Sequence, residues 1–278
     1  MNKIAQTIPV QYDTPFSPFK TSQFDYALDF LAAKGFTGAE LAVAFPDKID
    51  DQNLLLKLNN AGLVATTLST GQAYGLAGVF LASPDKDIRD AAVNLIIGHI
   101  NLSEKLKKPP VTIGLLRGKL ENETADMLLD NLRIALEPCI NHAIRMGVML
   151  QIEPINRDET IMLNSLQDTL QFLFKIGNPE NVGILYDTYH SNKEDDTMTG
   201  AIKAAGSKIT NVHFADSDRG LPGFAEIDFV TVINALNEID YKGAYTLETL
   251  AIPDSSFVND NCHNFVSMIN RHVYYPQS

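Results

Sequence analysis

Four short apolar runs in the second half of the chain each end in a side chain that can bind a divalent cation. MLQIE closes on Glu153, VGILYD on Asp187, ITNVH on His213 and AYTLE on Glu248. The intervals of 34, 26 and 35 residues each span about one strand–helix–strand unit, which needs roughly 30 residues. Neighbouring parallel strands at that spacing release all four side chains at the same end of a sheet. Three carboxylates and one imidazole converging there make a divalent-cation site at the face where α/β barrels keep their chemistry.

The rest of the chain alternates in the same way. Extended segments are expected at 4–10, 38–43, 63–68, 110–114, 149–153, 182–187, 209–214 and 244–247. Eight is the number that closes a parallel barrel, and their near-continuous apolar character suits strands buried on both faces. The stretches between have helical period. Ser83 followed by Pro84 reads as an N-cap with proline at the first helical position, and Ile88, Ala92, Leu95 and Leu102 then share a face. Asn164 reads as the cap of a helix that turns Leu166, Leu170, Leu173 and Phe174 to one side and stops at Gly177. Asp228 caps another, with Phe229, Val232, Ile233 and Leu236 inward. The expected fold is α/β, a single (β/α)8 TIM barrel forming one domain over residues 1–278. A doubly wound open sheet competes, but no G-x-G-x-x-G follows the first strand to support its dinucleotide-binding form.

Charge narrows the partners. With 22 basic and 34 acidic residues the net charge is −12, which repels phosphate backbones and anionic membranes at long range. Neither nucleic acid nor a membrane is expected as a partner. A small anionic substrate stays open, because a bound cation inverts the field inside a pocket. Cys139 and Cys262 are too few for a disulfide framework and read as packing residues of a reducing compartment. The first residues lack the apolar core of a secretory signal, and no run approaches the ~20 residues of a membrane helix. The expectation is a soluble, cytoplasmic protein, with the exposed helices of a barrel suiting a homodimer or homotetramer.

The four strand-end groups carry a formal −3, a repulsion that a cation relieves. Oxygen-rich ligands with one imidazole suit Mn²⁺, Co²⁺ or Mg²⁺, with Zn²⁺ a further option. Taken singly, each acid is more often the cap of the next helix. Four further groups fall in the loops that follow strands: Glu159 six residues beyond Glu153, His190 three beyond Asp187, Arg219 six beyond His213, and Arg117 just past the fourth strand. Loops at these positions hold substrate in barrel enzymes; surface ion pairing is the plainer reading of the two arginines. His99, His142, His263 and His272 read as solvated or packing residues.

A polyhydroxy carbonyl compound suits such a site. A metal that chelates the carbonyl and an adjacent hydroxyl lowers the acidity barrier at the carbon between them, and a carboxylate there can act as general base. Glu153 and Glu248 on opposite sides of an enediolate would invert that carbon, giving epimerisation. Return of the proton to the neighbouring carbon by one carboxylate would give aldose–ketose isomerisation instead.

The segments IEPINRDE, YDTYHSNKEDD, HFADSDR followed by PGFAEIDF, and YTLE, with STGQAY, SPDKDIR and IGLLRG, resemble the sugar phosphate isomerase/epimerase family of xylose-isomerase-like barrels. The ketose 3-epimerase branch, with its D-tagatose and D-psicose 3-epimerases, is the nearest match. The resemblance runs from about residue 63 to 250. It implies Glu153, Asp187, His213 and Glu248 as ligands of one divalent ion, Mn²⁺ first. It also implies Glu153 and Glu248 as the acid/base pair, with Glu159, His190 and Arg219 on substrate oxygens. STGQAY, which carries Gln72, and IGLLRG are closer to the subgroup that includes 5-keto-L-gluconate epimerase. That adds Gln72 and Arg117 to the substrate-binding set and suggests a sugar carboxylate paired bidentately by Arg117 or Arg219.

The chain departs from the family pattern at Asp158, where an aromatic residue is usual, at Asp218 in Asp216-Ser217-Asp218-Arg219, and at Ala225, where a glycine is usual. It also has no Trp to stack on a sugar. The expected activity is therefore metal-dependent epimerisation of a ketose or keto-sugar acid at the carbon next to the carbonyl, with aldose–ketose isomerisation as the alternative. A metal-dependent phosphodiesterase of the endonuclease type would need more His ligands and a less acidic surface. A non-catalytic sugar-binding protein is the remaining class.

Overall fold

A computed structural model describes residues 2–119 and 124–273. Eight strands run β1 (Lys3–Pro9), β2 (Gly38–Ala42), β3 (Val64–Ser69), β4 (Val111–Ile113), β5 (Leu150–Ile152), β6 (Val182–Asp187), β7 (Ile209–Phe214) and β8 (Ala244–Leu247). Each pairs in parallel with the next, and β1 pairs with β8, so the sheet closes in sequence order. Parallel neighbours need a crossover, and helices supply it around the outside. All eight expected strands are present, and none of their ends moves by more than one residue.

The helices differ from expectation in instructive places. The helix Lys86–Lys105 is capped by Asp85, whose side chain accepts from the Asp87 N–H. Ser83 instead accepts from the Asp85 N–H in the preceding turn. The helix Leu166–Lys175 is capped by Ser165 in a reciprocal box with Asp168, while Asn164 donates to the carbonyls of Ile155 and Thr160. Its inward face is Leu166, Thr169, Phe172 and Leu173; Phe174 is 80% exposed. Asp228 caps the helix Phe229–Glu238 as expected, and Phe229, Val232, Ile233 and Leu236 are buried. No helix among the described residues is long and apolar enough to cross a membrane.

The interior of the barrel is polar where such barrels are usually filled by branched apolar layers. Gln151 donates to the hydroxyls of Thr67 (2.9 Å) and Thr112 (2.8 Å). Its carbonyl accepts from Thr210 (2.8 Å) and Asn211 (3.1 Å), and Asn211 also donates to Thr67 (2.6 Å). A buried network whose members satisfy one another holds a geometry more narrowly than apolar packing does. It forms a rigid floor beneath the strand ends.

Candidate metal centre and substrate cavity

Asp187 is the last residue of β6, His213 lies one residue before the end of β7, and Glu153 and Glu248 each follow directly on β5 and β8. Asp187 and His213 are register partners. One ligand atom from each of the four lies within 4.8 Å of all the others. Nδ1 of His213 is 3.3 Å from Glu248 Oε2, 3.6 Å from Glu153 Oε1 and 3.7 Å from Asp187 Oδ2.

Asp187 both caps a helix and faces the cluster. Its Oδ1 accepts from the N–H groups of Tyr189 (2.7 Å) and His190 (3.2 Å). Its Oδ2 and the Nδ1 of His213 are buried without a hydrogen-bond partner. Buried polar atoms are rarely left so, and two of them aimed into one acidic cluster fit a divalent ion. Burial alone would disfavour a charged His213, but the carboxylates of Glu40 and Glu248, with Asp187 and Glu153, outweigh it and hold its pKa well above the ordinary value. Burial likewise opposes ionisation of Asp187, yet His190, His213 and Arg219 hold its carboxyl below the usual range. An acidic cluster that draws a proton onto its imidazole is one a dication can occupy instead.

Above the cluster lies a cavity of about 240 Å³, lined by Glu153, His213, Glu248, Glu159, His190, Arg219 and Gln72, with Phe16, Thr7, Ser69 and Gly114 among their neighbours. Arg219 Nη1 donates to Glu159 Oε1 at 2.8 Å. Its guanidinium carbon lies 4.3 Å from the ring centre of Phe16 and 4.9 Å from that of Tyr189, within cation–π range. The Arg219 backbone is left-handed, φ 65°, and its N–H and C=O are held by Asp216 O and the Leu250 N–H. Strain of this kind persists only where surrounding structure over-determines it. Nδ1 of His190 lies 3.3 Å from the Asn156 N–H nitrogen and 2.7 Å from Asn156 Nδ2. The other ring nitrogen of His190, Nε2, lies 3.5 Å from Arg219 Nη2. Gln72 donates to the carbonyl of Tyr12 at 2.6 Å, and its own Oε1 is buried and unpartnered.

Arg117 is placed elsewhere. It is fully buried, absent from the cavity wall, and its guanidinium donates to the carbonyls of Gly114, Glu153, Met162 and Leu163 at 2.7–3.3 Å. Burial lowers its pKa to about 10, with Glu153 and Glu159 opposing. Neither a substrate carboxylate nor a surface ion pair is available to it. Asp158 also points away, to Lys193 at the exterior, and Asp218 accepts from the Gly220 N–H. The Ala225 N–H, at the usual glycine position, is one of five backbone donors to Asp216. His99 is a packing residue, bonded to the carbonyls of Leu95 and Val43; His142 is half-buried and His263 exposed.

Two contributors lie outside the expected set, Glu40 and Phe16. Glu40 on β2 has no exposed surface and sits 2.8 Å from His213 Nε2. An acid inside the apolar run GAELAVA was the available sign, since a buried carboxylate needs a partner. Phe16, in the loop after β1, had none.

The profile of the xylose isomerase-like TIM barrel family matches residues 28–258. The chain belongs to that family. It is 29% identical over 244 residues to an L-ribulose 3-epimerase of Mesorhizobium japonicum, covering 86% of this chain and 79% of that protein. To the D-psicose 3-epimerase of Ruminiclostridium cellulolyticum it is 28% identical over 239 residues, 82% and 78% of the two chains. An L-ribulose 3-epimerase of Methylomonas sp. is 34% identical, but over 130 residues and 45% of its own length. Among solved structures, D-allulose 3-epimerase from Methylomonas sp. superposes with a TM-score of 0.84 at 23% identity, covering 98% of both chains.

Proposed function

We propose that this enzyme is a divalent-metal-dependent ketose 3-epimerase, built as one barrel domain, acting on a neutral ketose. The observation that carries the reading is the set of two unpartnered ligand atoms, Asp187 Oδ2 and His213 Nδ1, facing Glu153 and Glu248 beneath a sugar-sized cavity. The similarity to ketose 3-epimerases supports the choice of reaction.

Glu153, Asp187, His213 and Glu248 would hold the ion, Mn²⁺ first by ligand type. Bound there, it supplies Lewis acidity that lowers the acidity barrier at the carbon beside a ketose carbonyl. Glu153 and Glu248 form the acid/base pair: one removes the C3 proton and the other delivers a proton to the opposite face, which inverts the carbon. His190, its ring held by Asn156, contacts a substrate oxygen through Nε2. Glu159 and Arg219 work as a pair on neighbouring hydroxyls, and Gln72 Oε1 accepts from the far end of the sugar.

Charge favours a neutral substrate. Arg219 is the one Lys or Arg side chain among the described residues of the cavity wall, and Glu159 already engages it. With Arg117 committed to carbonyls and Arg219 Nη1 engaged by Glu159, no second guanidinium lines the described cavity wall for a sugar carboxylate or phosphate. The test is chromatographic separation of products after incubation of the Mn²⁺-loaded protein with D-fructose, D-tagatose, L-ribulose, fructose 6-phosphate and 5-keto-gluconate. Metal-dependent formation of the C3 epimer from the neutral ketoses is expected. Turnover confined to the acid or the phosphate would overturn the neutral assignment, and an aldose product would overturn the epimerase assignment.

A further inference from the structure

Glu40 is a carboxylate with no exposed surface in the middle of β2, between Ala39 and Leu41. Burying a lone carboxylate is costly unless its oxygens are paired, and both are. Thr7 Oγ1 donates to Oε1 at 3.2 Å, and His213 Nε2 lies 2.8 Å from Oε2. β2 and β7 are not neighbours in the barrel, so the contact crosses the interior. It also adds a further acid to a site that already carries three carboxylates. If packing alone decided position 40, an apolar residue or an amide would fill the space at lower electrostatic cost.

The geometry has one chemical consequence. An ionised carboxylate only accepts hydrogen bonds, so Nε2 of His213 carries the proton shared with Glu40. The other nitrogen, Nδ1, is the one that faces Glu153, Asp187 and Glu248, and it has no partner. A ring held in this way presents the Nδ1 lone pair to an ion at a fixed angle. A charged acceptor behind the ring also makes that lone pair a stronger donor than an amide would.

We infer that Glu40 is a positioning residue of the metal centre, which fixes the ring and tautomer of His213 and is itself steadied by Thr7. The inference rests on the metal-centred reading above, and its test reads metal affinity rather than turnover.

Mn²⁺ affinity is measured by calorimetry on the purified chain for the wild type, Glu40→Gln, Glu40→Ala, Thr7→Val and His213→Asn, and for each of the first three variants combined with His213→Asn. Outer-shell partners of ligating histidines typically contribute ~10- to 100-fold in affinity. Glu40→Gln, which keeps an acceptor but loses the charge, is expected near the lower end and Glu40→Ala near the upper. Thr7→Val, which leaves Glu40 in place, is expected to weaken binding about threefold and serves if the Glu40 variants do not fold. In the His213→Asn background each second substitution is expected to change affinity by less than about twofold, because its effect passes through the imidazole. Glu40→Gln or, failing it, Thr7→Val binding Mn²⁺ as the wild type does would overturn the inference. So would equal losses with and without His213. Absence of Mn²⁺ binding by the wild type would overturn this inference and the metal-centred reading together. The expected affinity pattern without any ketose turnover would leave Glu40 in its role and overturn the epimerase reading alone.

Discussion

The carboxylate of Glu153 occupies space that exists because residue 114 has no side chain: a Cβ on Gly114 would stand 2.5 Å from Glu153 Oε2. Gly114 follows β4 and Glu153 follows the neighbouring β5, so two strand ends approach at the carboxylate proposed as an acid/base group. A carboxylate displaced by about 1 Å loses on the order of 100-fold in rate. Gly114→Ala is therefore expected to lower kcat/KM by roughly that factor and to weaken Mn²⁺ binding. Steady-state kinetics beside calorimetry checks it; a variant with wild-type values in both would remove Gly114 from the account.

Arg117 is expected to act on stability. Its guanidinium ties the turn after β4 to the strand end at Glu153 and to the 162–163 segment. Arg117→Met keeps much of the length but leaves four buried carbonyls without this donor. Each charge-assisted bond contributes about 1.5–3 kcal/mol, so a loss of at least ~3 kcal/mol in urea unfolding is expected. Arg117→Lys should fall between, because an ammonium cannot reproduce the planar fork.

Asp216 offers a pH signature. Although burial opposes its charge, the backbone N–H groups of Ile227, Ser217, Ala225 and Gly223 hold its pKa below the ordinary 3.8. A carboxyl depressed in the folded state stabilises the protein fully above its unfolded pKa and loses that contribution as pH falls through the folded value. Asp216→Asn is expected to cost about 2 kcal/mol at pH 7, with the gap to wild type closing below about pH 4. Unfolding curves between pH 3 and 7 test this; a gap independent of pH would contradict it.

Phe16 lies against the Arg219 guanidinium on the cavity wall. Removing the ring by Phe16→Ala frees the arginine and costs about 1 kcal/mol of positioning. KM for the ketose is expected to rise about fivefold, with kcat within about threefold.

The candidate metal cluster was legible because strand-end side chains recur at the period of the strand–helix unit, which a linear sequence displays directly. Asp187 shows that the capping reading and the ligand reading need not compete, since its two oxygens divide the tasks. Arg117 was misread because position just past a strand does not reveal direction: the turn at Leu115–Arg117 folds the side chain inward onto carbonyls. Asn164 and Ser165 are both capping types, and Asp168 three residues after Ser165 decided between them. Glu40 and Phe16 act through partners 173 and 203 residues away, a pairing that only the closed barrel brings about.

Proton NMR in D₂O tests the central claim most directly. Mn²⁺-loaded wild type, an EDTA-treated sample, Glu153→Gln and Glu248→Gln are each followed with D-fructose, D-tagatose and L-ribulose. The account predicts metal-dependent deuterium entry at C3 alone, with the C3 epimer appearing in the wild type. Each Gln variant should form epimer at least ~100-fold more slowly, because inversion needs both faces served. Deuterium at C1, exchange that survives EDTA, or wild-type epimerisation in either Gln variant would contradict it.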